Sequence, residues 1–270
     1  MAEKNKKFLV ETSAVRPALG DSTPEHCRHF REQVEGGTLF TSVYIRMEFI
    51  RRWVCDAIRM ALVISQCSDV AEALCILEQD FSPRSVKGAL AVIQRCLRES
   101  GSMDNTSAAA EEVGRLAVLW LKRFDKVFPA RINNVCKCKI GGRSLDDIDF
   151  NHLLDDLHTF RETFLVPVTD CEVNAFLDLG TSRSRVAPLL EDAGVLKTKP
   201  GEKLEQLRVD GKWITCKECA TIGDAVTALE QPASWCLVHL DGAFNDLCRA
   251  RGRSHLQIKS VIATQKDTGI

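Results

Sequence analysis

Phe8-Leu9-Val10-Glu11-Thr12-Ser13 decides how the rest of the chain is read. Three apolar residues in a row, stopped by an acid and two hydroxyl residues, read as a short buried strand that runs into a loop. A second such run, Trp235-Cys236-Leu237-Val238-His239-Leu240, stands near the other end of the chain and stops at Asp241-Gly242. Thr38-Leu39-Phe40 reads as a further short strand, and Leu256 to Val261 as an edge strand. Helical patterns separate them. A polar helix runs from Thr23 to Glu35, opened by Thr23-Pro24 and closed by Gly36-Gly37. The next helix has Thr41 or Ser42 as its cap and Ile50, Trp53, Val54, Ala57, Ile58 and Ala61 at helical spacing. Late helices are expected at Lys217–Glu230 and Ala243–Arg251.

Strands alternating with helices predict an α/β fold with a parallel sheet. The middle of the chain differs. Residues 60–200 carry only helical patterns, at 69–79, 84–99, 108–127, 145–164 and 185–196, with a turn-rich linker at Gly101–Ser107 and a polar loop at Lys197–Lys212. The expected architecture is a parallel sheet sandwiched by helices, built from residues 1–55 and 214–270, with a large all-helical insertion at 56–213.

The 270 residues are 45% hydrophobic and 27% charged, with a formal net charge of −1, so a histone-like basic coat is excluded. No apolar run approaches the roughly 18 residues of a membrane span, and Met1–Lys7 leads into no secretory segment. A cytoplasmic protein is expected, with its 12 cysteines reduced. Cys55, Cys67, Cys75, Cys96 and Cys248 fall in helical apolar patterns and read as small core residues. The chain has no nucleophile elbow, no phosphate-binding glycine loop and no H-E-x-x-H.

Four acids stand where chemistry is expected. Glu11 and Asp241 each follow a buried strand, and ligands of open parallel sheets bind beyond the carboxyl ends of strands. Glu48 lies early in a helix after another strand, and Asp224 on the helix leading into the last buried one. Gathered in one pocket, such carboxylates repel one another, and a hard divalent cation, Mg²⁺ or Mn²⁺, relieves the repulsion. That chemistry is phosphodiester hydrolysis. Three of these acids also have a plain reading. Glu48 has Arg52 at i,i+4, Asp224 suits the positive part of its helix, and Asp241-Gly242 forms a turn.

Four stretches occur in an order that resembles PIN-domain ribonucleases of the VapC-like kind. They are Phe8-Leu9-Val10-Glu11-Thr12-Ser13, Thr41-Ser42-Val43-Tyr44-Ile45-Arg46-Met47-Glu48, Gly223-Asp224-Ala225-Val226, and Leu237-Val238-His239-Leu240-Asp241-Gly242-Ala243-Phe244. The resemblance spans residues 6–54 and 214–262. It implies the family's sheet, Mg²⁺- or Mn²⁺-dependent cleavage of RNA, a toxin role beside an antitoxin protein, and a homodimer. By position it makes Glu11, Glu48, Asp224 and Asp241 the catalytic metal ligands, with a hydroxyl from Thr12 or Ser13 nearby. The chain departs from the family in carrying Glu11 for Asp, His239 for Thr, and a far longer insertion. The alternative is a PIN-like scaffold without metal, whose insertion docks a partner.

Two cysteine pairs, Cys136-Lys-Cys138 and Cys216-Lys-Glu-Cys219, suit a structural Cys₄ zinc site, and unligated reduced thiols are the other reading. Arg46 on the Glu48 helix and Arg249 near the last motif are placed to contact RNA phosphates, or to form a solvated face.

Overall fold

In the computed structural model, the described residues are 6–81, 105–132, 139–140, 143–144 and 216–258, with scattered helical positions between 86 and 98 and at 189. The strands among them are β1 (Lys7–Val10), β2 (Thr38–Ser42), β3 (Arg131–Ile132), β4 (Lys139–Ile140), β5 (Arg143–Ser144), β6 (Cys236–His239) and β7 (His255–Gln257). The helices are α1 (Thr12–Ala18), α2 (Pro24–Gln33), α3 (Val43–Phe49), α4 (Cys55–Gln66), α5 (Val70–Asp80), α6 (Thr106–Val127), α7 (Cys216–Glu230) and α8 (Ala243–Ala250). A π-helical turn, Ile50–Val54, joins α3 to α4.

Five strands form one parallel sheet in the order β3-β2-β1-β6-β7. The central strand is β1, and its continuous apolar run follows from burial on both faces. Leu9 and Val10 are fully buried, as are Leu237 and Val238 beside them on β6. The expected α/β class with a parallel sheet is present. From β1 the chain winds outward to β2 and β3, then returns to the other side of β1 as β6 and β7. The winding therefore reverses between β1 and β6, the kind of place where open parallel sheets bind ligands.

The described residues within 1–46, 126–138 and 170–270 form one compact unit, and those within 47–125 and 139–169 a second. The first holds the sheet, with α1 packed on α2 and on β6, and α7 packed on α8. The second holds α4, α5 and α6 and the antiparallel pair β4–β5. Its core includes a stacked pair, Phe49 and Phe124, with ring centroids 5.0 Å apart, and an edge-on pair, Trp53 and Trp120, at 6.5 Å. Among the described residues no helix is long and apolar enough to cross a membrane.

Several helix starts follow the sequence signals. Thr23 caps α2 by accepting from the His26 amide, with Pro24 as the first helical residue. Ser42, one of the two expected caps, accepts from the Ile45 amide at 3.1 Å.

Three expectations need correction. Thr12 and Ser13 begin helix α1 instead of a loop, because the Glu11 side chain caps it. The middle of the chain is not all-helical: β3 joins the sheet beside β2, and β4 pairs with β5. Strands of two residues carry no hydrophobic period to read. Cys75 is exposed, whereas Cys55, Cys67 and Cys248 are buried as expected. The helices expected at 145–164 and 185–196, the loop at 197–212 and the core role of Cys96 lie outside the described residues, apart from helical backbone at 189.

Candidate functional site

Beyond the ends of β1 and β6 a short chain of hydrogen bonds ties two loops together. The Glu11 amide donates to the Val238 carbonyl at 2.9 Å, which continues the strand pairing one step past β1. The Glu11 carboxylate then turns onto helix α1. Its Oε2 accepts from the Ser13 amide at 2.9 Å and from the Ser13 hydroxyl. The Ser13 oxygen in turn accepts from the Leu240 amide at 2.9 Å. The path Leu240 N–H to Ser13 Oγ–H to Glu11 Oε2 thus fastens the loop after β6 to the start of α1. A carboxylate at a helix start is also favoured by the unpaired amides there. Glu11 is 5% exposed, so this carboxylate is held within the protein.

Asp241 stands on the neighbouring loop and is exposed. Its Oδ1 accepts from the Ala243 amide at 3.0 Å, which opens α8, so the turn reading of Asp241-Gly242 holds locally. Gln257 of β7 braces the same loop. Its amide donates to the Leu240 carbonyl at 3.4 Å and accepts from Asn245 at 2.9 Å. Glu11 and Asp241 are therefore brought to the ends of adjacent strands at the point where the winding reverses.

Asp224 is half-buried on α7 in the same unit. It is the ninth residue of a helix that starts at Cys216, well past the first turn where the helix dipole would favour it. Gly223 beside it lies against the Tyr44 phenol so closely that a Cβ there would overlap the ring oxygen. Glu48 belongs to the second unit. It is buried, and its Oε1 lies 2.8 Å from Nη2 of Arg52, the i,i+4 pair open from the sequence.

The other expected site residues separate by burial. Thr12 and Arg46 are buried, and Ser13 serves the Glu11 network just described. Arg249 is exposed and paired with Asp246 at 3.1 Å. Cys136 and Cys138 lie outside the described residues, as do the side chains of Cys216 and Cys219, so the zinc expectation falls there too.

All-oxygen donors such as Glu11, Asp224 and Asp241 suit Mg²⁺ or Mn²⁺ by their chemistry. Among the described residues, however, no three His, Cys, Asp or Glu side chains gather closely enough to hold a metal ion. The donor chemistry fits a hard cation.

Two features escaped the sequence reading. His239, at the end of β6, is fully buried, and its Nε2 lies 3.3 Å from Nδ1 of His255 on β7. Its own Nδ1 has no hydrogen-bond partner. Burial holds its imidazole down to about 4, with the Asp241 backbone carbonyl and carboxylate opposing the effect and the neighbouring His255 adding to it. The second feature is a cluster of Lys7, Phe40 and Trp235. All of these residues were visible in the sequence, but their meeting depends on strand order and register.

Comparison with protein families, with curated proteins and with solved structures finds no match to this chain.

Proposed function

We propose that the carboxyl end of the β1–β6 pair is the working end of the first unit, and that the protein is a PIN-like, Mg²⁺- or Mn²⁺-dependent endoribonuclease. The observation that carries this reading is the placement of Glu11 and Asp241 at adjacent strand ends where the sheet reverses its winding. Acids from sequence positions 230 residues apart (241 − 11) stand just past the ends of two adjacent strands. Glu11, Asp241 and Asp224 of the first unit are the groups that would hold the cation. The cation supplies Lewis acidity for hydrolysis of a phosphodiester.

The protein's own groups have separate tasks. The Ser13 hydroxyl fixes the Glu11 carboxylate and the Leu240 backbone together, so the two loops keep one spacing. Asp241, exposed, is the carboxylate a substrate in solution meets first. Like charges at this end repel one another.

A second reading, an interaction scaffold of the same fold, is favoured by two observations: Glu48 is paired with Arg52, and Glu11 already serves as a helix cap. Calorimetric titration of Mn²⁺ into wild type, Asp241→Asn and Glu48→Gln separates the two, followed by cleavage of a labelled RNA. The ribonuclease reading expects wild-type binding that Asp241→Asn abolishes, and cleavage that falls with it. Wild type that takes up no Mn²⁺ and cleaves nothing would sink it and leave the scaffold.

A further inference from the structure

We propose that Lys7, Phe40 and Trp235 form a stacking platform for an unpaired RNA base, on one face of the sheet over the first half of β1. The three residues come from three neighbouring strands or their approaches. Phe40 on β2 stands beside Leu9 of β1. Trp235 directly precedes Cys236, which stands beside Phe8, so Trp235 is level with Lys7. Because side chains alternate along a strand, Lys7 and Leu9 share one sheet face, and Phe40 and Trp235 lie on it with them. The aromatic rings lean together over β1, with centroids 4.2 Å apart and planes at 36°. The Lys7 ammonium lies 5.6 Å from the Trp235 ring centre and 5.9 Å from that of Phe40. Phe40 and Trp235 are half-buried residues, and Lys7 is exposed, as is Lys6 next to it.

This is the chemistry that recognises single-stranded nucleic acid. Aromatic faces stack on bases, adjacent ammonium groups meet the phosphates, and a sheet face is a rigid place to present both. Lys6 and Lys7, both exposed, put positive charge beside the rings, which favours a polyanion. Along the strand direction Lys7 and Trp235 stand about 13 Å from the level of Glu11, and Phe40, beside Leu9, about 7 Å from it, at the rise of a β-strand. The choice of RNA over DNA rests on the ribonuclease reading; the stacking does not.

The test is fluorescence anisotropy of a short labelled single-stranded RNA with the full chain in EDTA buffer, where cation-dependent cleavage cannot consume the probe. Phe40→Leu is expected to weaken binding about tenfold or more. Lys7→Ala, at an exposed position that spares the fold, is expected to weaken binding and to lower the salt slope by about 0.7. No binding by wild type, unchanged binding by both Phe40→Leu and Lys7→Ala, or equal preference for duplex RNA would overturn the platform. Failure of the ribonuclease reading looks different. RNA held through Phe40 and Lys7 but never cleaved with Mn²⁺ leaves the platform standing, and cleavage indifferent to both substitutions removes the platform alone.

Discussion

Ser13 is the residue on which the two loops of the candidate site depend. Its hydroxyl donates to Glu11 and accepts from Leu240, and its amide completes the cap of α1. Ser13→Ala leaves the Leu240 amide without this acceptor and weakens the cap. A loss of about 1–2 kcal/mol is expected, read from urea denaturation. His239 makes a different kind of prediction. The unfolded chain takes a proton on this ring as pH falls below about 6.5, whereas the folded protein refuses it until about 4. This part of the stability is therefore whole above pH 6.5 and is lost as pH falls toward 4, by on the order of 3 kcal/mol. His239→Phe, a ring of similar shape beside Phe244 and His255, is expected to flatten that part of the profile of melting temperature against pH. A wild-type profile no steeper than the variant's would show that the buried ring titrates normally. Much at this scale is legible from sequence. Glu48 and Arg52 are four apart on a helix, and the structure pairs them. The His239–His255 contact is not legible, because it needs β6 and β7 in register.

At the scale of elements, helix starts are legible because caps are local chemistry. Asp69 caps α5 by accepting from the Glu72 amide at 2.8 Å, while Glu72 reaches back to Ser68. Asp69→Ala is expected to cost about 1 kcal/mol, measured by thermal denaturation. Helix contacts are less legible. Gly223 lies inside α7, where Ala would normally add roughly 1 kcal/mol of helix propensity. Here the Tyr44 phenol occupies the space a Cβ needs. Gly223→Ala is therefore expected to destabilise by about 1–3 kcal/mol, and Tyr44→Phe in the same chain to recover part of that loss. A double-mutant cycle measures the coupling, and strict additivity would show that the two residues do not press on each other. From the sequence, Gly223-Asp224 stood only as part of a motif. Its steric meaning belongs to the contact with α3.

At the scale of the whole molecule, the sheet collects strands from distant parts of the chain. Strand β3 begins at residue 131, whereas β2 ends at 42. Such non-local pairing makes folding depend on contacts across long loops. Within the sheet, protection should follow burial and position. The amides of Leu9 and Val10, on the central strand, are expected to exchange with solvent far more slowly than those of Leu256 and Gln257 at the half-buried edge. Hydrogen exchange followed by mass spectrometry checks this, and equal protection across the sheet would argue against β1 as its centre.

The sequence by itself determined the class of fold, the identity of the buried strands and most helix starts, because burial period and capping act over a few residues. Phe8-Leu9-Val10 and Leu237-Val238 needed no neighbour to be read as two-sided core. Tertiary structure alone decided that β1 lies between β2 and β6, that a two-residue strand from the middle of the chain completes the sheet, and that Lys7 meets Phe40 and Trp235. Strand order is set by how whole layers pack and by where long connections return, and no local pattern carries that information.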